Sequence, residues 1–169
     1  GYKGILDFSG GVLFEEYYTY LGYFGASFIN GVNLGAHFSI GIGVGIDYRS
    51  RYYYDDGYDG EAHAGHGYTD LNVPVFLNLR IPFAKNRRVS PYLAANVGYS
   101  FNVWSGYELK ENNVCGGHSY IYFEPSFGLD FRIKRHSSFF IAISSPLNFC
   151  HKDNKLQLPA VGAKMGFTF

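Results

Sequence analysis

Long hydrophobic runs are missing from this chain. No stretch approaches the roughly 18–20 consecutive apolar residues that a membrane-spanning helix requires. Helical periodicity is missing as well, since no segment of useful length repeats its apolar residues every three to four positions. Neither sign of charge dominates: 14 basic and 14 acidic residues cancel at pH 7. That balance excludes a basic footprint for nucleic acid and an acidic tail. No apolar run of the kind found in a secretory leader is present, so the opening Gly1-Tyr2-Lys3 is expected to be a mature N-terminus, with Gly1 a possible expression remnant. Mean hydropathy is −0.09, which taken alone suggests a soluble protein. An alternating sequence defeats that reading, because averaging its two faces hides the apolar one.

Glycine (22), tyrosine (16) and phenylalanine (16) are abundant in the 169 residues, and they are arranged with a period of two. From Phe38 to Arg49, the residues Phe38, Ile40, Ile42, Val44, Ile46 and Tyr48 alternate with Ser39, Gly41, Gly43, Gly45, Asp47 and Arg49. Successive side chains of a strand point to opposite faces, so one face is wholly apolar and the other small or polar. The same pattern runs through Asp70 to Ile81 and Tyr120 to Ile133. Weaker copies occupy Leu93 to Val103, Phe139 to Phe149 and Val161 to Phe169. Lys3 to Phe14 and Tyr20 to Leu34 complete eight strands, the latter interrupted by Asn30 on its apolar face. The expected fold is all-β: a single domain, residues 1–169, forming an eight-stranded antiparallel up-and-down transmembrane β-barrel.

The choice of membrane barrel over a soluble lipocalin-like barrel or sandwich rests on three features. The strands run about 11–14 residues, against a mode of about 5–6 in globular proteins, and are long enough to cross a bilayer when tilted. The polar face is rich in glycine and short side chains, as a narrow lumen demands. The apolar faces carry no formal charge, whereas five acids and five bases lie opposite: Lys3, Asp7, Asp47, Arg49, Asp70, Arg80, Glu124, Asp130, Arg132 and Lys164. A closed interior needs such a balance because an unpaired buried charge is costly. These ten are expected to form a paired lumen network, with Arg80 and Arg132 making bidentate carboxylate contacts.

Short turns near Gly35-Ala36-His37, Ala84 to Arg88 and Lys134 to Ser137 alternate with connections at Ser50 to Tyr68, Ser105 to His118 and His151 to Leu156. Bacterial barrels keep short turns in the periplasm and longer loops outside, so both termini are expected to be periplasmic. That topology places Cys115 and Cys150 at the same outer end, where an oxidising compartment is expected to close a disulfide between them. Aromatic girdles are expected from Tyr48, Tyr52, Tyr53 and Tyr54 at the outer rim. Phe38, Phe83, Phe131, Phe167 and Phe169 would form the inner one.

Gly41-Ile42-Gly43-Val44-Gly45, Val73-Pro74-Val75-Phe76-Leu77-Asn78-Leu79-Arg80, Ser90-Pro91-Tyr92-Leu93 and Val97-Gly98-Tyr99-Ser100-Phe101 together resemble the outer membrane protein β-barrel domain family of Gram-negative bacteria, small barrels of the OmpX and OmpA type. The resemblance spans essentially the whole chain. It implies residence in the outer membrane, contact with outer-membrane lipid and insertion by the barrel-assembly machinery. The closing Gly166-Phe167-Thr168-Phe169 resembles the signal that machinery reads, carried by Phe167 and Phe169. It implies no catalytic residue.

Candidate chemistry elsewhere is weak. Gly41 to Gly45 has the wrong spacing for a nucleotide loop and no helix follows. Asp55, Asp56, Asp59, Glu61, His63 and His66 form an acidic, histidine-bearing segment without EF-hand spacing, better read as a solvated mobile loop. His37-Phe38-Ser39 superficially matches the His-x-Ser of lipid A deacylases, but lies at a predicted periplasmic turn without an assignable acid. Glu124, Asp130 and Arg132 suggest pairing across strands rather than acid–base catalysis. No metal or other cofactor is expected. The expected role is non-enzymatic: a monomer with a side-chain-filled lumen whose outer loops meet an external partner, with no nucleic acid involved. The alternatives are a small pore for water or solutes and, more remotely, a lipid-modifying enzyme.

Overall fold

The computed structural model describes residues 1–15, 19–35, 38–56, 62–84, 87–106, 119–134, 137–150, 155–157 and 160–169. They form β1 (Tyr2–Glu15), β2 (Thr19–Leu34), β3 (Phe38–Asp56), β4 (Ala62–Pro82), β5 (Val89–Ser105), β6 (Tyr120–Lys134), β7 (Ser137–Ser144), β8 (Leu147–Cys150), β9 (Lys155–Gln157) and β10 (Ala160–Thr168). From β1 to β7 each strand pairs antiparallel with the next in sequence, and β1 closes on β10 from Ile5↔Thr168 to Leu13↔Ala160. β7 and β8 are two parts of one stave, since both pair with β6. Proline offers no N–H to a ladder, which accounts for the break at Ser145-Pro146; the Ser145 amide still reaches the Pro125 carbonyl at 3.1 Å. β9 continues β10 in the same way, pairing with β8 above while β10 pairs with β7 below. The result is a closed, eight-stave, up-and-down barrel.

Alternation in sequence becomes alternation across the wall. Ile42, Val44 and Ile46 point outward and are exposed, whereas Gly41, Gly43 and Gly45 are buried inside. The outward set extends round the wall to Phe24, Val75, Val97, Phe127, Ile143 and Met165, and Ile143 is 65 % exposed. Burying one such side chain is worth about 1.5–3 kcal/mol relative to leaving it in water. A continuous apolar belt on the outside of a closed sheet therefore belongs in lipid, and the soluble sandwich is excluded. Asn30 does face outward among these apolar residues.

Two expectations from sequence need correction. The segment Ser50 to Tyr68, read as a loop, is largely strand: β3 runs to Asp56 and β4 starts at Ala62, with a register shift between Tyr53 and Asp55. Asp55 and His63 are ladder partners in this hairpin, while Asp59 and Glu61 lie outside the described residues. Likewise, Lys155–Gln157 is strand rather than loop. The β4–β5 ladder also carries a bulge between Leu71 and Asn72, which pairs Leu71 with Trp104 and Asn72 with Asn102. An extra residue in one strand reverses the facing of the residues beyond it, so Val103 and Trp104 are both exposed.

Candidate functional site

The lumen is the place where this sequence spends its polar residues. Its glycines make room for aromatic fillers. A Cβ on Gly128 would sit 2.7 Å from the Tyr92 ring, and one on Gly166 would sit 2.7 Å from that of Phe140. Narrow barrels are filled in this way by alternating small and large side chains. The fillers form an internal apolar cluster of Ile5, Ile29, Phe76, Tyr92, Phe140 and Ala142, all buried. Sequence reasoning treated the inward face as polar and missed this layer. The signal was present in the parity: Ile5 lies between Lys3 and Asp7, so all three share a face.

Next to this layer lies the charged centre. Lys164 on β10 donates to Asp7 Oδ2 on β1 at 3.3 Å and also to Glu124 Oε2 on β6. Glu124 Oε2 further accepts from Tyr122 Oη and, at 3.0 Å, from Asn96 Nδ2 on β5. Asn96 Oδ1 in turn accepts from Asn78 Nδ2 on β4 at 2.7 Å. One connected set of hydrogen bonds thus joins five staves across the lumen. Glu124 is 2 % exposed and Lys164 6 %, so the set is closed off from bulk solvent.

Toward the opposite end from the termini, Arg49 contacts Asp47 through Nε at 2.8 Å and Nη2 at 2.7 Å, both to Oδ2. Tyr120 donates to the same oxygen at 3.4 Å, and the Arg49 guanidinium lies 4.7 Å from its ring. This ion pair runs along β3 rather than across strands. Asp70 is buried and accepts from Ser105 Oγ at 2.7 Å. Among the described residues, small cavities of about 30 and 10 Å³ interrupt the filled interior. Each has roughly the volume of one or two water molecules.

At the end carrying both termini the lumen widens into a funnel of about 490 Å³ bordered by Lys3, Arg80, Asp130 and Arg132. Arg80 is 3 % exposed and contacts Asp130 Oδ2 through Nη2 at 3.3 Å. That is one contact rather than the expected bidentate pair. Its guanidinium is instead held 3.5 Å from the centre of the Tyr92 ring and 4.8 Å from that of Phe140. Arg132 is exposed rather than enclosed in the lumen network as expected. It sits at the strand end beside a register shift between Arg132 and Lys134, where the lumen has already opened to solvent. Lys3 is half-buried and donates to Ser39 Oγ at 3.5 Å.

Other candidates are dispersed. Phe167 and Phe169 lie on the lipid face, with Phe167 5.4 Å from Phe139 and Phe169 6.3 Å from Phe28, ring centre to ring centre. The Phe169 backbone pairs with Gly4 at 2.8 and 2.9 Å. Cys115 lies outside the described residues; the Cys150 backbone pairs with Tyr120 at the end of β8. His37 is also outside them, and Ser39 is buried in the lumen, donating to the Arg80 carbonyl at 3.4 Å. Among the described residues, no group of three metal-ligating side chains occurs.

No protein-family model matches the chain, and no curated protein matches it by sequence. Solved structures do. Neisserial surface protein A aligns over 99 % of this chain and 94 % of its own, with TM-score 0.53 and 11 % identity. The N-terminal β-barrel domain of Pseudomonas aeruginosa OprF aligns over 99 % and 97 %, with TM-score 0.45 and 14 % identity. Ail, the attachment invasion locus protein of Yersinia pestis, aligns over 100 % and 99 %, with TM-score 0.49 and 14 % identity. At such identities the likeness concerns fold: this chain has the architecture of a small outer-membrane β-barrel.

Proposed function

We propose that this protein is a non-enzymatic outer-membrane barrel, closed by its own side chains, whose work is done outside the lumen. On this reading the apolar belt sits in outer-membrane lipid and both termini face the periplasm. The barrel-assembly machinery inserts the chain as a monomer, guided by Phe167 and Phe169, and the outer loops meet an external partner. The observation that carries the reading is the buried bond set from Asp7 through Lys164, Glu124 and Asn96 to Asn78, next to the apolar cluster around Phe140. A solute pathway would have to cross both. Removing one partner of a buried charge set costs about 3–5 kcal/mol, so opening is not a thermal fluctuation of small cost. Eight staves leave an interior just wide enough for side chains, whereas porins use about 16–18.

Planar-bilayer recording tests this directly. The refolded protein should give no discrete conductance steps under an applied voltage. Stable steps that vanish when the protein is omitted would overturn the closed-lumen reading and establish the pore alternative.

A further inference from the structure

The funnel at the end carrying the termini has a charge pattern that its size and the filled lumen behind it do not require. We propose that it is a binding site for a phosphate-bearing anion. Among the described residues five cations border it, Lys3, Arg80, Arg87, Arg132 and Lys134, against one side-chain carboxylate, Asp130. Deeper in the lumen the balance reverses: Lys164 stands between two carboxylates, Arg49 beside Asp47, and the buried Asp70 is held by a serine hydroxyl. The excess of positive charge is therefore confined to one concave end. Clefts lined by one sign of charge over low-dielectric walls focus their field and concentrate counter-ions.

The floor of the funnel is preorganised. Arg80 packs against both the Tyr92 and Phe140 rings and is bonded to Asp130, so its planar fork is held before any ligand arrives. A guanidinium carries five N–H donors, of which Asp130 takes one. Neutral donors stand beside it. Thr168, Ser137 and Ser138 line the same space, and the buried Thr168 Oγ1 has no hydrogen-bond partner. Arginine, lysine and hydroxyl donors together suit a tetrahedral oxyanion with several acceptor oxygens. Free phosphate or a phosphate monoester carries about 1.5–2 negative charges at neutral pH, and any phosphate group offers these donors a tetrahedral set of oxygens that a carboxylate does not. A volume of about 490 Å³ falls in the range of about 300–1,000 Å³ typical of small-ligand sites.

The phosphate could arrive free in solution or as a lipid headgroup folded over the rim. Titration calorimetry of inorganic pyrophosphate into the full chain, refolded in non-ionic detergent at near-physiological ionic strength, tests the shared chemistry. We expect saturable binding at one site per barrel. It should weaken at least tenfold in Arg132→Gln/Lys134→Gln, whose side chains are exposed and whose loss should leave the gel-shifted folded form intact. Lys134→Gln alone serves if the double variant does not fold. Arg88→Gln, equally exposed but outside the funnel lining, should bind as the parent does. Repeating the titration in nanodiscs separates the sources. Weaker pyrophosphate binding in phosphatidylglycerol discs than in phosphatidylcholine discs identifies the headgroup, and equal binding identifies free phosphate. Absence of saturable binding, or equal weakening by Arg88→Gln, overturns the site. An acidic peptide that binds the funnel without competing with pyrophosphate overturns it too.

Discussion

Lys164 and Arg132 are both inward cations in the alternation, yet they live in different media. Lys164 is enclosed between Asp7 and Glu124, and removing it strands two carboxylates in a closed lumen. Lys164→Ala should lower the barrel's stability by about 3–5 kcal/mol. This is measurable as a shift in the urea unfolding midpoint followed by tryptophan fluorescence. Arg132 stands in the open funnel, where screened, exposed ion pairs are worth about 0–1 kcal/mol. Arg132→Ala should leave the same midpoint within that margin. A large shift for Arg132 with none for Lys164 would invert the assignment of closed and open regions. The ten charged positions were legible as one face from parity alone. Their separation into a closed centre and an open mouth was not, because depth along a strand depends on where the wall ends.

At the scale of the strand, the glycine content of β3 is explained by the side chains that face it. A Cβ on Gly43 would run into the Phe76 ring of β4, with which it is in register. Gly43→Ala should cost about 1–3 kcal/mol through overpacking. Shortening the opposing side chain in Gly43→Ala/Phe76→Leu should recover part of that loss. The checking measurement is a double-mutant cycle on unfolding free energy, in which contacting residues couple by about 0.5–3 kcal/mol; strict additivity would mean that the two do not touch. A second prediction at this scale concerns β10. Phe169 is 51 % exposed on the lipid face, so its side chain adds little to the filled lumen. Phe169→Ala should reduce the amount inserted in cells while the purified variant refolds in detergent with unchanged yield. Normal surface levels would remove the assembly role.

For the molecule as a whole, closure is the property that matters. Every described stave is paired on both sides through the barrel wall, and the β1–β10 seam joins opposite ends of the chain, from Ile5↔Thr168 to Leu13↔Ala160. Such long-range pairing makes folding slow relative to helical proteins and makes a covalent tie between distant staves informative. If Cys115 and Cys150 are bridged, closing a loop of this length restricts the unfolded chain by roughly 4 kcal/mol in the entropic model. Thiol counting under denaturing, non-reducing conditions should therefore find no reactive thiol, and reduction should lower the unfolding midpoint. Two reactive thiols would remove the bridge.

The sequence by itself determined the class of structure and the two faces of its wall. A period of two is a local property, so Phe38 to Arg49 and Tyr120 to Ile133 declare their inward and outward residues without reference to anything else. Loop spacing then specified an up-and-down order. Tertiary structure decided the features that depend on a register between distant strands. The Tyr53/Asp55 shift, the β4–β5 bulge that turns Trp104 outward and the break at Ser145-Pro146 each arise from partners on another strand. The same holds inside. That Lys164 would find both Asp7 and Glu124, and that Arg80 would pack against Tyr92 and Phe140, depends on how eight staves stagger as the sheet closes. That stagger is a global condition on the barrel, and no single segment carries it.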